Sequence, residues 1–253
     1  MVMPTIAFLV LIYFLFLPSH LLSQTPFYQG KTITIIQGRE PGGTGDVRVR
    51  VLIPFLQKYI PGNPTVVSEF MPGGGGRKAA NHIYKIARTD GLSIANLGAG
   101  FVSNAVLGEP GIQYNIDKFI YLGSPNSRTS YVFFAKKDLA GLDRLRAASG
   151  IRIGGQTIGH ENYVLGRLFA LLLDLKEPKF VTGYSGPEID VALLRGELDA
   201  RASSSETIYV RNPEWLDNGP MQFHLILEIP KGFRLRHSVI DKLPDLDDFA
   251  KTD

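Results

Sequence analysis

Apolar and polar positions in this chain alternate between two periods, and the switches come at glycines. Residues 31–37 ("KTITIIQ") are β-branched, bounded by glycines, and predict a strand. From Asp46 to Tyr59 the apolar residues Val47, Val49, Val51, Leu52, Phe55, Leu56 and Tyr59 fall mostly at helical spacing, and "IPGNP" stops the run. Pro54 inside that run predicts a kink or a shifted boundary. A second strand at 65–70, a short helix at 78–87 and a third strand at 92–97 complete a βαβαβ order, with a glycine loop "MPGGGGR" before the helix. Parallel strands need a crossover and a helix supplies one, so this order predicts a parallel sheet.

The stretch 98–128 is less regular, with "KFIYLGS" and "YVFFAKKD" reading as two strands that lead away from the first unit. From Gly150 the opening plan returns: strand "IRIGG", loop "QTIGHEN", helix "YVLGRLFALLLDL", strand "KFVTGY", loop "SGPE", helix "IDVALLRGEL", strand "DARASSS". The repeat is one of pattern and not of residues. Each half is long enough for a small α/β lobe, with a cleft between them. After Trp215, "FHLILEI" reads as a strand returning toward the first lobe.

Strand-to-helix loops sit at the carboxyl ends of parallel strands, where open α/β sheets bind ligands. The helix that follows offers unpaired N–H groups and the positive end of its dipole, so a loop without bulky side chains becomes an anion seat. Four loops qualify: 41–46 ("PGGTGD"), 72–77 ("PGGGGR"), 156–160 ("QTIGH") and 184–188 ("YSGPE"). Any one of them also reads as an ordinary turn. Four at matching places in two matching units point to a small anion held between the lobes.

Composition narrows the remaining classes. The chain has 253 residues, 20% of them charged, a net charge of +3 and no cysteine, which removes disulfides, thiolate metal sites and cysteine nucleophiles. Basic and acidic residues are interspersed, without the clustered stripe of a nucleic-acid binder. Residues 6–17 ("IAFLVLIYFLFL") are apolar but short for a bilayer span, and Pro18 and "LLSQ" follow. That reads as a secretory signal peptide cut near Ser23 or Gln24, with an uncleaved anchor as the alternative because "MVMPT" lacks Lys and Arg. Neither a phosphate-binding P-loop nor a dinucleotide fingerprint fits the glycine loops. The five histidines lack metal-ligand spacing, and "HENYV" at His160 is not H-E-x-x-H. For an enzyme, His160 with Glu161 or Glu188 is the pair that could serve as a general base near the cleft.

Taken together, "FYQGKTITIIQGREPGGTGD", "YIPGNPTVVSEFMPGGGGRKAANHIY", "DGLSIANLGAG", "IRIGGQTIGH", "VTGYSGPEIDVALLRGELDARASS" and "LPDLDDFAKTD" resemble the substrate-binding receptors of tripartite tricarboxylate transporters, the Bug-type periplasmic binding proteins. The resemblance implies a type II periplasmic-binding-protein fold, two α/β lobes closing over a carboxylate held by backbone amides, small hydroxyls and waters. It implies a periplasmic monomer that passes its ligand to membrane permease subunits, with no cofactor, no metal and no catalysis. Lobe I would span residues 25–125 after a signal peptide at 1–24, lobe II residues 126–220, and residues 221–253 would return to lobe I. Carried onto this chain, the ligand contacts would be Gly42, Gly43, Thr44 and Asp46, with Gly98, Ala99 and Gly100 behind them. From the second lobe they would be Thr157, Gly159, His160, Tyr184, Ser185 and Gly186, with Asp199 and Ser203 at the next strand end. Asp46 would either hold the seat in shape or touch the ligand.

Two departures stand out. Arg39, Glu40 and Pro41 precede the first glycine pair, where the family has small residues, so the ligand need not be an ordinary dicarboxylate. The family also continues past "LPDLDDFAKTD" with helices that complete its first lobe, so a truncated fold is expected. A small-acid hydrolase or isomerase on the same scaffold, or a non-functional receptor fragment, are the alternative readings.

Overall fold

The computed structural model describes residues 25–124, 128–232 and 234–250. The apolar leader expected at 1–24 lies outside them. Two sheets organise the chain.

The first has three parallel strands in the order β2-β1-β3, with β1 Thr32–Gln37, β2 Thr65–Phe70 and β3 Ser93–Asn96. Helix α1, Thr44–Tyr59, makes the β1–β2 crossover, and α2, Arg77–Lys85, makes the β2–β3 crossover after a short 3₁₀ turn at Gly74–Gly76. Each falls where the hydrophobic pattern changes period. Helix α1 nevertheless turns a different face inward than its apolar stripe suggests. Val49 is buried with Ile33, Ile35 and Val66, and Ile53 and Leu56 pack against them, whereas Val51 (62% exposed), Phe55 (55%) and Tyr59 point outward. Pro54 lies within the helix without ending it.

Between the sheets the sequence is hardest to read. Gly100–Val106 is a short helix, α3, that the pattern did not announce. The "KFIYLGS" segment, expected as a strand, is irregular, and Ile120 is 89% exposed. Its β propensity has no neighbouring strand to pair with, and propensity alone does not make a strand. Phe119 instead joins Phe101, Tyr114 and Tyr84 in a small aromatic cluster beside α3.

The second sheet has five strands in the order β6-β5-β7-β4-β8. Strands β5 (Arg152–Gly154), β6 (Lys179–Val181) and β7 (Ala200–Ser204) are parallel, while β4 (Thr129–Lys136) runs antiparallel to β7 and to β8 (Met221–Ile229). The strand expected to carry the chain back to the first lobe is therefore an edge strand of the second lobe's sheet. Its long register with β4 explains why, since Tyr131, Val132, Phe133 and Phe134 pair there with Leu227, Ile226, Leu225 and Phe223. Helix α4 (Leu142–Ala147) precedes β5, and α5 (Glu161–Leu172), α6 (Gly186–Leu194), α7 (Ser205–Arg211) and α8 (Glu214–Asp217) follow in chain order. Two apolar cores flank this sheet. One is built around Phe133, Phe169, Leu145 and Leu225, the other around Phe134, Trp215, Ile189 and Phe223. The rings of Phe133 and Phe169 stack at 5.4 Å.

Candidate functional site

The carboxyl ends of the parallel strands of both sheets face one cleft, and its floor is a cavity of about 60 Å³. The starts of four helices reach it: α1 through Gly43, Thr44 and Gly45; α5 through His160, Glu161 and Asn162; α6 through Gly186 and Pro187; and α7 through Ser204 and Thr207. Three of these are glycine loops the sequence singled out. The fourth follows "ASSS", where a polar strand end was expected and a helix begins.

The first seat is shaped by Asp46. Its carboxylate accepts from the Gly42 N–H (2.9 Å), Gln37 Nε2 (3.2 Å) and Arg50 Nη2 (2.8 Å), and it is buried. Burial alone would raise its pKa, but the Arg50, Gly42 and Gln37 hydrogen bonds outweigh it and hold the carboxyl below the usual range. Asp46 is spent on the loop and is absent from the cavity wall. Gly43 caps α1 without any side-chain hydrogen bond, so the first N–H groups of the helix are left for whatever occupies the cleft.

At α5, His160 is the N-cap, and its Nδ1 accepts from the Asn162 N–H at 3.2 Å. Burial pushes its pKa down to about 4, aided by Arg39 and Arg201 and opposed by Glu161. A neutral imidazole whose Nδ1 lone pair is already engaged carries its proton on Nε2, so it faces the cleft as a donor. Glu188 is elsewhere: it closes a capping box with Ser185, its carboxylate accepting from the Ser185 N–H at 2.6 Å. The His160–Glu188 pairing does not form.

The second glycine loop has another job. Gly75 sits at φ +61°, its N–H donates to Thr157 Oγ1 at 2.9 Å across the lobes, and a Cβ there would lie 2.8 Å from the Gly159 backbone. Asn104 Nδ2 donates to the Gly74 carbonyl (2.7 Å), and a Cβ on Gly100 would approach the carbonyls of both Gly75 and Gly159. This loop, with Thr157, Gly159 and Gly100, forms a tight contact between lobes beside the cavity. Gly98 and Ala99 adjoin it, and the Ala99 N–H donates to Glu161 Oε2 at 3.4 Å.

Among the other expected contacts, Ser185 is occupied in its capping box, Tyr184 packs against the apolar core, and Ser203 is fully buried beside Arg201. Asp199 is corrected outright. It precedes β7 at the opposite end of the strand, where it accepts from Arg152 Nε (2.8 Å) and pairs with Lys136 (2.9 Å). These hydrogen bonds overcome the upward push of burial and keep it ionised. A strand has two ends, and the sequence alone had placed this residue at the wrong one.

Sequence reasoning missed Arg48, Arg201 and Arg211, and noted Arg39 only as a departure before the first glycine pair. Arg39, Arg48, Arg201 and Arg211 all line the cavity. Arg48 pairs with Glu206 at 2.6 Å, a bridge from α1 of the first lobe to α7 of the second. Thr44 and Thr207 hydroxyls meet beside it at 2.9 Å. Arg201, fully buried, and Arg211 converge on one carboxylate, Asp190 in α6, and both donate to the Gly186 carbonyl. Burial lowers Arg201 to about 9 and Arg211 to about 10, and both stay protonated at neutral pH. A lone Arg in the small-residue run "DARASSS" was the available signal. No group of side chains suited to a metal ion occurs among the described residues, and no described helix is long and apolar enough to cross a membrane.

No family model matches the chain, and no curated protein matches it. Solved structures do. The periplasmic binding protein BugD superposes with a TM-score of 0.67 at 17% identity, covering 87% of this chain and 72% of its own. MatC from Rhodopseudomonas palustris, solved with bound malate, gives 0.66 at 19% identity, covering 87% and 73%. An R. palustris protein solved with adipate gives 0.62 at 14%, covering 87% and 72%. The chain thus has the fold of the type II periplasmic binding proteins.

Proposed function

We propose that this chain is an extracytoplasmic receptor of the tripartite tricarboxylate transporter type, which closes its two lobes on a small carboxylate and delivers it to a membrane permease. The observation that carries the reading is the cavity itself. Helix starts from both lobes converge on it, and four arginines line it. Helix N-termini and guanidiniums both favour an anion, and neither performs covalent chemistry by itself. The malate and adipate in structures of the same fold fit this class of ligand.

Closure would use contacts already in place. Arg48–Glu206, Thr44–Thr207 and Gly75–Thr157 join the lobes around the cavity, so an anion that bridges them adds to a closed form the protein can reach unaided. The enzyme alternative requires His160 as a base, and its Nδ1 is engaged by the Asn162 N–H. A thermal-shift and calorimetric panel of mono-, di- and tricarboxylates on the exported chain tests the reading. At least one acid should raise the melting temperature and release or absorb heat in one-to-one proportion. Folded protein that responds to none of them would refute it.

A further inference from the structure

We propose that Arg39 takes the ligand's charge directly, and that the cavity is matched to a compact acid bearing a single carboxylate. This rests on the receptor reading above. Three of the four cavity arginines are already engaged, Arg48 by Glu206, and Arg201 and Arg211 by Asp190. Arg39 makes no hydrogen bond or ion pair with any described residue, and its Nε is buried without a partner. Buried donors are almost always satisfied, and an orphan on the wall of a cavity marks where an acceptor belongs.

The fold also reserves a slot for this side chain. A Cβ on Gly45 would lie 2.1 Å from Arg39 Nη1, and one on Gly98 would lie 2.6 Å from Nη2. Neither glycine has the positive φ that would by itself require one. Their lack of a side chain therefore serves space and not backbone conformation, and the space is filled by the guanidinium. The loop before α1 thus places a guanidinium in the same cavity wall as the open N–H groups of the helix start. A guanidinium edge binds a carboxylate through two parallel hydrogen bonds, which a point charge cannot reproduce.

Charge and size set the class. Glu206 pairs with Arg48, and Asp190 with Arg201 and Arg211, so Arg39 is the cavity guanidinium left for a ligand carboxylate, while Glu40 and Glu161 also stand on the wall. Burial already depresses the basicity of Arg39 and Glu161 partly offsets it, so a second ligand carboxylate would meet Glu40 or Glu161 with no cation of its own. The cavity's 60 Å³ compares with about 10–15 Å³ needed for one water, which gives room for roughly four to six heavy atoms. Short monocarboxylates have that size.

Isothermal titration of the exported chain with acetate, propionate, lactate, succinate and citrate tests this, using wild type, Arg39→Gln, Arg39→Lys and Gly45→Ala. Monoacids should bind more tightly than di- and tricarboxylates. Arg39→Gln should weaken them by roughly 10- to 100-fold, the size of a lost charge-assisted pair. Arg39→Lys should recover only part of that, and Gly45→Ala should imitate the loss by filling the slot. Circular dichroism of each variant checks the fold, and Arg39→Lys, which keeps the charge, covers the case in which Arg39→Gln does not fold. A monoacid that binds Arg39→Gln or Arg39→Lys within twofold of wild type overturns the anchor. Tighter binding of succinate or citrate overturns the single-charge match. Wild type that binds none of the acids refutes the receptor reading itself, and this proposal with it.

Discussion

The two lobes meet at one cavity but are built to different standards. The second lobe packs Phe133, Phe134, Phe169, Leu145, Ile189 and Trp215 around a five-stranded sheet, on both of its faces. The first has three strands, a core of Ile33, Ile35, Val49 and Val66, and a separate aromatic cluster around Phe101. Helix α1 leaves Val51, Phe55 and Tyr59 largely exposed. Buried apolar area is the main source of stability, so the second lobe is the platform and the first is the lighter jaw held against it. The site follows the same division. The first lobe contributes main-chain groups and the unengaged Arg39, while the second contributes a buried arginine–aspartate framework.

That contrast is broken or sharpened most by aromatic truncation. Phe169→Ala should cost about 3–5 kcal/mol in urea-denaturation free energy, the usual price of emptying a packed aromatic site. Phe55→Ala, on the exposed side of α1, should stay within about 0.5 kcal/mol. Equal losses would mean that the lobes are not differently packed. A similar loss, roughly 3–5 kcal/mol, is expected for Asp190→Ala, because it strands the buried guanidinium of Arg201 together with the partly buried one of Arg211. Melting temperature and denaturant midpoint should fall together, and a neutral result would remove the framework from the second lobe.

Acid should also act mainly on the second lobe. Burial holds His224, in β8, at a pKa of about 4, below the ordinary 6.5. The unfolded chain then binds a proton that the folded chain refuses, so stability is full above about pH 6.5 and declines as pH falls toward 4. The decline from this one residue is on the order of 3 kcal/mol. His160, also held at about 4, adds in the same direction. His224→Leu should flatten the stability–pH curve across that window, and an unchanged slope would contradict the burial argument. The smallest effect belongs to the cross-lobe pair. Arg48 and Glu206 are each about a quarter exposed (28% and 25%), so a double-mutant cycle on them should return roughly 0.2–1 kcal/mol.

The same comparison explains what could be read from the residues alone. The parallel sheet of β1, β2 and β3, the return of the plan after Gly150 and three of the cavity's helix starts all come from local signals: period switches, glycines and β-branched runs. What stayed hidden depends on distant partners. Strand β8 looks the same whether it pairs with either sheet, and only the match with β4 decides it. Asp199 could lie at either end of β7 until Arg152 and Lys136 were beside it. Arg201 and Arg211 converge on Asp190 from a strand and a helix, so no short motif contains all three. Arg39 was visible as a departure before the first glycine pair, but its slot is defined by Gly45 and Gly98, the latter far along the chain.

The central claim is that one cavity between unequal lobes holds an organic acid through helix starts and arginine. An isotope-edited NMR titration with propionate follows it atom by atom. The amides of Thr44, Gly45, Asn162 and Gly186 and the Arg39 Nε–H should shift together along one saturable curve, while the β4 and β8 amides stay still. Shifts confined to other surfaces, or none in a folded sample at any concentration of acid, would contradict the account.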